Sequence, residues 1–239
     1  STEISEVFKH VDAYLTDPGA NPPMDGVDLR ELYFEYSINE KIALEKAIAF
    51  AVASQRAMCV MKNVGMNVAS DALMSIPYQT FAGALVIVLC DDPGCHSSSN
   101  EQDSRWWGTM ASVPVLNPAT PEEAKELTHR AFALSEAIHL PVILRSTTRV
   151  SHARGMVSYG ALPGKGPAPA YDRVAEHINI PSRNTGAHQA LLAKMARPEV
   201  AATLQQCTRK LADAHTPLAV ICSGITVAYL MELHTASAS

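Results

Sequence analysis

Seven apolar residues in a row, "ALVIVLC" at 84–90, end abruptly in two aspartates, and this stretch limits the possible folds more than any other. A strand with no polar position has no solvent face, so it must lie in a sheet covered on both sides. Four other segments read as strands of the same kind: "AMCVM" (57–61), "VPVL" (113–116), "PVILR" (141–145) and "PLAVICS" (217–223). Helical segments fall between them. Residues 38–55 carry apolar side chains at helical spacing. Residues 121–138 follow Thr120-Pro121-Glu122-Glu123, which orders a cap, a first-turn proline and an N3 glutamate. The expected fold class is α/β, a three-layer and mostly parallel sheet followed by part of a second α/β domain.

The 239 residues are 47% hydrophobic and 18% charged, with a formal net charge of -5. That suffices for one large domain, or one domain and part of another. A mildly acidic chain without a basic stripe is unsuited to neutralising phosphates, so nucleic acid is excluded as a partner. The longest apolar run, "FAGALVIVLC", is about half of a membrane-spanning helix. The opening "STEISEVFKHVDAYL" lacks the basic start and apolar core of a signal peptide. Cys59, Cys90, Cys95, Cys207 and Cys222 are odd in number and show no repeated spacing, which reads as reduced thiols in the cytoplasm. Residues 156–185 are rich in Gly, Pro and Ala and read as a linker. Residues 186–214 look helical with a break at Pro198, and the rest supplies one strand and one helix. Those elements cannot bury a core alone, so 186–239 reads as an incomplete second domain or one that leans on the first.

Three polar segments follow strands at the edge where open parallel sheets bind ligands: "KNVGMNVASD", "DDPGCHSSSNEQD" and "STTRVSH". All three are expected to be loops. Cys90, Cys95 and His96 suit zinc chemically, but a fourth ligand is missing and Cys90 ends a buried strand. Asp91, Asp92, Glu101 and Asp103 offer magnesium ligands without the spacing of a calcium loop. No metal is assigned. A nucleophile elbow and the common nucleotide-binding fingerprints are also missing. Ser37-Ile38-Asn39-Glu40 fits a capping box in which Glu40 reaches back to the Ser37 N–H. Equally, Glu40 fits a carboxylate offered to a ligand from a helix start. Trp106 and Trp107 allow either stacking on an aromatic substrate or packing.

The stretches "YFEYSINEKIALEKAIAFAVASQRAMCVMKNVGMNVASDALM" and "GALVIVLCDDPGCHSSSNEQDSRWWGTMASVPVLNPATPEEAKELTHRAFALSEAIHLPVILRSTTRVSHARG" resemble the pyrimidine-binding domain of the 2-oxoacid:ferredoxin oxidoreductases, and most closely the indolepyruvate branch, α subunit. The likeness is strong over 1–155 and weaker beyond. It implies a thiamine-diphosphate-binding pyrimidine domain at 1–155, the linker at 156–185 and the start of a second domain at 186–239. It also implies CoA-dependent oxidative decarboxylation of a small 2-oxoacid such as indolepyruvate, with electrons passed to ferredoxin.

In that family a glutamate hydrogen-bonds the aminopyrimidine ring of the cofactor, and by the resemblance it falls on Glu40. Lys62, Gly65 and Asn67 would line the cofactor side. His96, Ser97, Ser98, Asn100, Gln102 and Asp103 would position substrate or close a domain interface. This chain has no G-D-G…N motif and no C-x₂-C-x₂-C motif. The magnesium, the diphosphate-binding domain or chain, and the iron–sulfur clusters are therefore expected elsewhere in an oligomeric assembly. The alternatives are a non-oxidative thiamine-dependent 2-oxoacid decarboxylase and a non-catalytic thiamine-fold scaffold subunit.

Overall fold

The computed structural model describes residues 33–158, 168–210 and 219–238, with 6, 7, 9 and 160 as isolated positions. Four strands form one sheet: β1 (Arg56–Lys62), β2 (Ala84–Asp91), β3 (Val115–Leu116) and β4 (Val142–Thr147). Eight helices of more than one turn accompany them among the described residues: α1 (Glu40–Val52), α2 (Asn63–Ser75), α3 (Arg105–Ala111), α4 (Pro121–Ile138), α5 (Thr148–His152), α6 (Pro181–Met195), α7 (Pro198–Gln206) and α8 (Ile225–Ala238). The strand order is β1-β2-β4-β3 and every pairing is parallel. The α/β class and the parallel sheet are as the sequence predicts.

All eight residues of β2 are buried, which is what its unbroken apolar run requires. Leu85, Ile87 and Leu89 face one core with Leu44, Ala47 and Ala51 of α1 and Met66, Ala69 and Leu73 of α2. Val86, Val88 and Cys90 face a second core with Leu127, Ala131, Leu134 and Ile138 of α4. The sheet is thus the middle of three layers. Thr120 caps α4 by accepting the Glu123 N–H at 3.1 Å, and Glu123 reaches back to the Ala119 N–H at 2.9 Å. β3 keeps only the last two residues of "VPVL", because Pro114 has no N–H to give a ladder.

Helix α6 begins at Pro181, so the last five residues of the stretch read as linker are helical. It and α7 bury Leu191 and Val200 in the second core. Lys194 Nζ donates to the carbonyls of Gln79 and His139 at 3.1 Å, and Arg197 Nη1 donates to that of Ala137 at 2.7 Å. These helices pack onto the core on that face of the sheet. The strand expected at 217–223 does not form where it is described: 219–223 have no regular structure, and Val220 and Ile221 are exposed. Residues 217 and 218 lie outside the described residues. An apolar run becomes a strand only where a sheet edge offers backbone partners, and here none stands beside it among the described residues.

Candidate functional site at the carboxyl edge of the sheet

Helix α1 is capped by Asn39, whose Oδ1 accepts the Ile42 N–H at 3.0 Å. The Ser37 hydroxyl instead donates to Glu35 Oε1 at 3.1 Å. The capping box therefore does not form, and Glu40 is the first helical residue, not the third. Its side chain lies half-buried against the first turn of α2. A Cβ on Gly65 would stand 2.6 Å from Glu40 Cγ and 2.9 Å from Oε1, so only glycine leaves the carboxylate this position. Both helix starts favour a negative charge there. No hydrogen bond or ion pair engages the carboxylate among the described residues. Behind it lies Cys59 of β1, whose thiol is pushed up to about 12 by burial and further by the charge of Glu40.

Two of the three expected loops are helical. "KNVGMNVASD" turns directly from β1 into α2 at Lys62, and "TRVSH" forms α5. Met66, Ala69 and Leu73 give α2 a buried stripe that its polar residues disguise. The 92–104 segment is the true loop, and Asp92 ties down its base. One Asp92 oxygen accepts the Ser97 N–H at 2.7 Å and the Ser98 hydroxyl at 2.8 Å. The other accepts the Thr148 hydroxyl at 2.9 Å. Lys62 Nζ donates to Ser97 O and Oγ at 2.6 and 3.0 Å and stands 3.7 Å from Asp92. These donors, the Ser97 N–H foremost, hold the Asp92 carboxyl well below the usual carboxylate range.

Beside it lies a buried ion pair that the sequence reading missed. Arg145 Nε donates to Asp91 Oδ2 at 2.6 Å, and Asp91 also accepts the Ser104 N–H and hydroxyl. Arg145 reaches Asn117 Oδ1 at 3.3 Å, and Asn117 Nδ2 reaches Ser223 Oγ at the same distance. A lone arginine within "PVILRST", level with a strand ending in aspartates, was the available signal.

Of the candidate residues, Glu40 meets Gly65, and Lys62 meets Ser97. Gln102 donates to Asn100 at 2.8 Å. Asp103 takes the Arg105 guanidinium, which holds its carboxyl below the ordinary value. His96 and Asn67 are exposed, and no side-chain partner is shown for either. Trp107 packs against the first core while Trp106 is exposed. Among the described residues no three His, Cys, Asp or Glu side chains gather as a metal site, and no helix is long and apolar enough to cross a membrane.

Among the described residues, the carboxyl ends of the strands of this α/β domain carry one unpaired carboxylate, Glu40, and one anchored polar loop, 92–104. No family model matches the chain. Over 135 residues it is 50% identical to the indolepyruvate oxidoreductase subunit IorA of Archaeoglobus fulgidus, covering 56% of this chain and 22% of that protein. The subunit of the same name from Methanothermobacter marburgensis is 39% identical over 204 residues, or 84% of this chain and 33% of that protein. That of Thermococcus kodakarensis is 40% identical over 209 residues, or 84% and 32%. The resemblance to the indolepyruvate oxidoreductase branch is borne out. The chain spans a third or less of the length of these curated relatives.

Proposed function

We propose that this chain supplies the pyrimidine-binding part of a thiamine-diphosphate-dependent oxidoreductase that converts an arylpyruvate such as indolepyruvate, with CoA as acyl acceptor and ferredoxin as electron acceptor. One observation carries the reading: Glu40 presents a half-buried, unpaired carboxylate against Gly65 at the carboxyl edge. Such a group is suited to hydrogen-bond a weakly basic ring nitrogen and share its proton. The relatives, oxidoreductase subunits named for indolepyruvate, support the substrate class.

The residues present fit the pyrimidine half of the cofactor. Gly65 leaves the α2 backbone open on the side where Glu40 lies, and the adjoining Asn63 has a buried amide nitrogen with no partner. Glu40 would hold the aminopyrimidine ring, with Lys62, Gly65 and Asn67 bordering it. When bound, thiamine diphosphate supplies the electron sink for decarboxylation. The 92–104 loop, with His96, Ser97, Ser98, Asn100, Gln102 and Asp103, would face the substrate or the adjoining domain. Magnesium and the diphosphate group would be held by another domain or chain, and the iron–sulfur clusters by partners in a cytoplasmic assembly. Residues 1–155 would form the pyrimidine domain, with 186–239 resting on it after the linker.

The test is anaerobic, thiamine-diphosphate- and CoA-dependent dye reduction by indolepyruvate, comparing the native complex with the same complex carrying Glu40→Gln. A loss of about 10² to 10⁴ in rate is expected when an acid–base group of this kind is removed. Unchanged activity would assign the chain a scaffold role. Carbon dioxide release without dye reduction would favour the non-oxidative decarboxylase.

A further inference from the structure

Asp92 has no part in the site proposed above, yet its side chain ties β1, α5 and the 92–104 loop together at the carboxyl edge. It is 3% exposed and follows the last residue of β2. Through Lys62 it is joined to β1, through Thr148 to α5 at the end of β4, and through Ser97 and Ser98 to its own loop. Its carbonyl also closes the turn, accepting the Cys95 N–H at 2.9 Å. Cys95 sits at φ +53, a left-handed conformation that a residue with a side chain keeps only when its surroundings impose it. Asp92 imposes it from both sides of the turn, and His96 and Ser97 follow directly.

From this geometry we infer that Asp92 is a positioning residue: it holds the turn 92–98 so that His96 and Ser97 meet the polar end of the 2-oxoacid substrate, and Lys62 serves the site through this loop. The inference rests on the function proposed above. The loop's hydrogen bonds are made before substrate arrives, so Asp92 stabilises bound substrate and transition state alike. Its removal therefore raises KM and leaves kcat in place.

The experiment uses the assembled complex with Asp92→Asn, which keeps the side chain's shape and removes its charge, and with Thr148→Val, which deletes one donor. Two readings are taken: hydrogen exchange of the 92–104 peptide without ligands, and steady-state kinetics with indolepyruvate. Asp92→Asn is expected to speed exchange in 92–98 roughly tenfold or more. It should raise KM by roughly tenfold with kcat within about twofold, and Thr148→Val should move both in the same direction by less. Unchanged exchange in Asp92→Asn, or faster exchange with unmoved KM, overturns the inference. A parent complex inactive on 2-oxoacids would instead bring down the functional reading and this inference with it.

Discussion

Gly83 and Gly65 stand at opposite ends of the same sheet, and each is crowded, but by different neighbours. A Cβ on Gly83 would lie 2.1 Å from the Gln55 carbonyl oxygen and 2.8 Å from that of Ala51. These are backbone atoms fixed by their own hydrogen bonds, with Gly83 N donating to Ala51 O and Ala84 N to Gln55 O. A Cβ on Gly65 would meet the Glu40 side chain, which is free to swing away but takes its carboxylate with it. At the amino end, close approach holds backbone against backbone; at the carboxyl end, it sets the position of a carboxylate. That division matches the general tendency of parallel sheets to carry ligands at their carboxyl edge.

The largest stability effect should show that the carboxyl edge is not functional throughout. Asp91→Ala leaves Arg145 buried without its partner, and urea denaturation should show a loss of about 3–5 kcal/mol. A loss under about 1 kcal/mol would mean that water or Asp103, 3.7 Å from Arg145, takes over the charge. Next comes Gly83→Ala, expected to cost about 3 kcal/mol, the upper end for overpacking against a backbone that cannot yield. Gly65→Ala should cost less than about 1.5 kcal/mol, because only a side chain must move. Equal losses for the two glycines would erase the distinction between the ends.

The smallest effect lies away from both ends. Lys46 foremost, then Tyr33 and Ser37, hold the half-buried Glu35 carboxyl at about 2, against an ordinary 4.5. Its folded value is depressed, so its contribution is present above 4.5 and is lost as pH falls toward about 2. Glu35→Gln should flatten the pH dependence of stability across that window and leave it unchanged near neutrality. A parallel curve for the variant would remove Glu35 from the account.

The sheet was legible because β2 has no polar position and α4 begins with an unambiguous cap. The sequence leaves the start of α1 open between two readings for a physical reason. Ser37 and Asn39 are both good caps, and the choice was settled by Glu35, which takes the Ser37 hydroxyl. Helix α2 was hidden because Lys62, Asn63 and Asn67 dominate its first turns while Met66, Ala69 and Leu73 carry its buried stripe. Glu40 was named from the resemblance, but its contact with Gly65 depends on how α1 and α2 pack. The Lys62–Ser97 bond joins residues 35 apart, and the Asp91–Arg145 pair residues 54 apart. Pairs so distant become visible only once strand register is fixed.

Under the proposed function Gly65 serves activity by making room for Glu40, and a double-mutant cycle tests this most directly. In the assembled complex, kcat/KM for indolepyruvate would be compared among the parent, Glu40→Gln, Gly65→Ala and the double variant. Both single changes should lower it, Glu40→Gln by about 10² to 10⁴, and the double variant should be no worse than Glu40→Gln alone. Losses that multiply would show that Gly65 acts independently of Glu40 and would contradict the central claim.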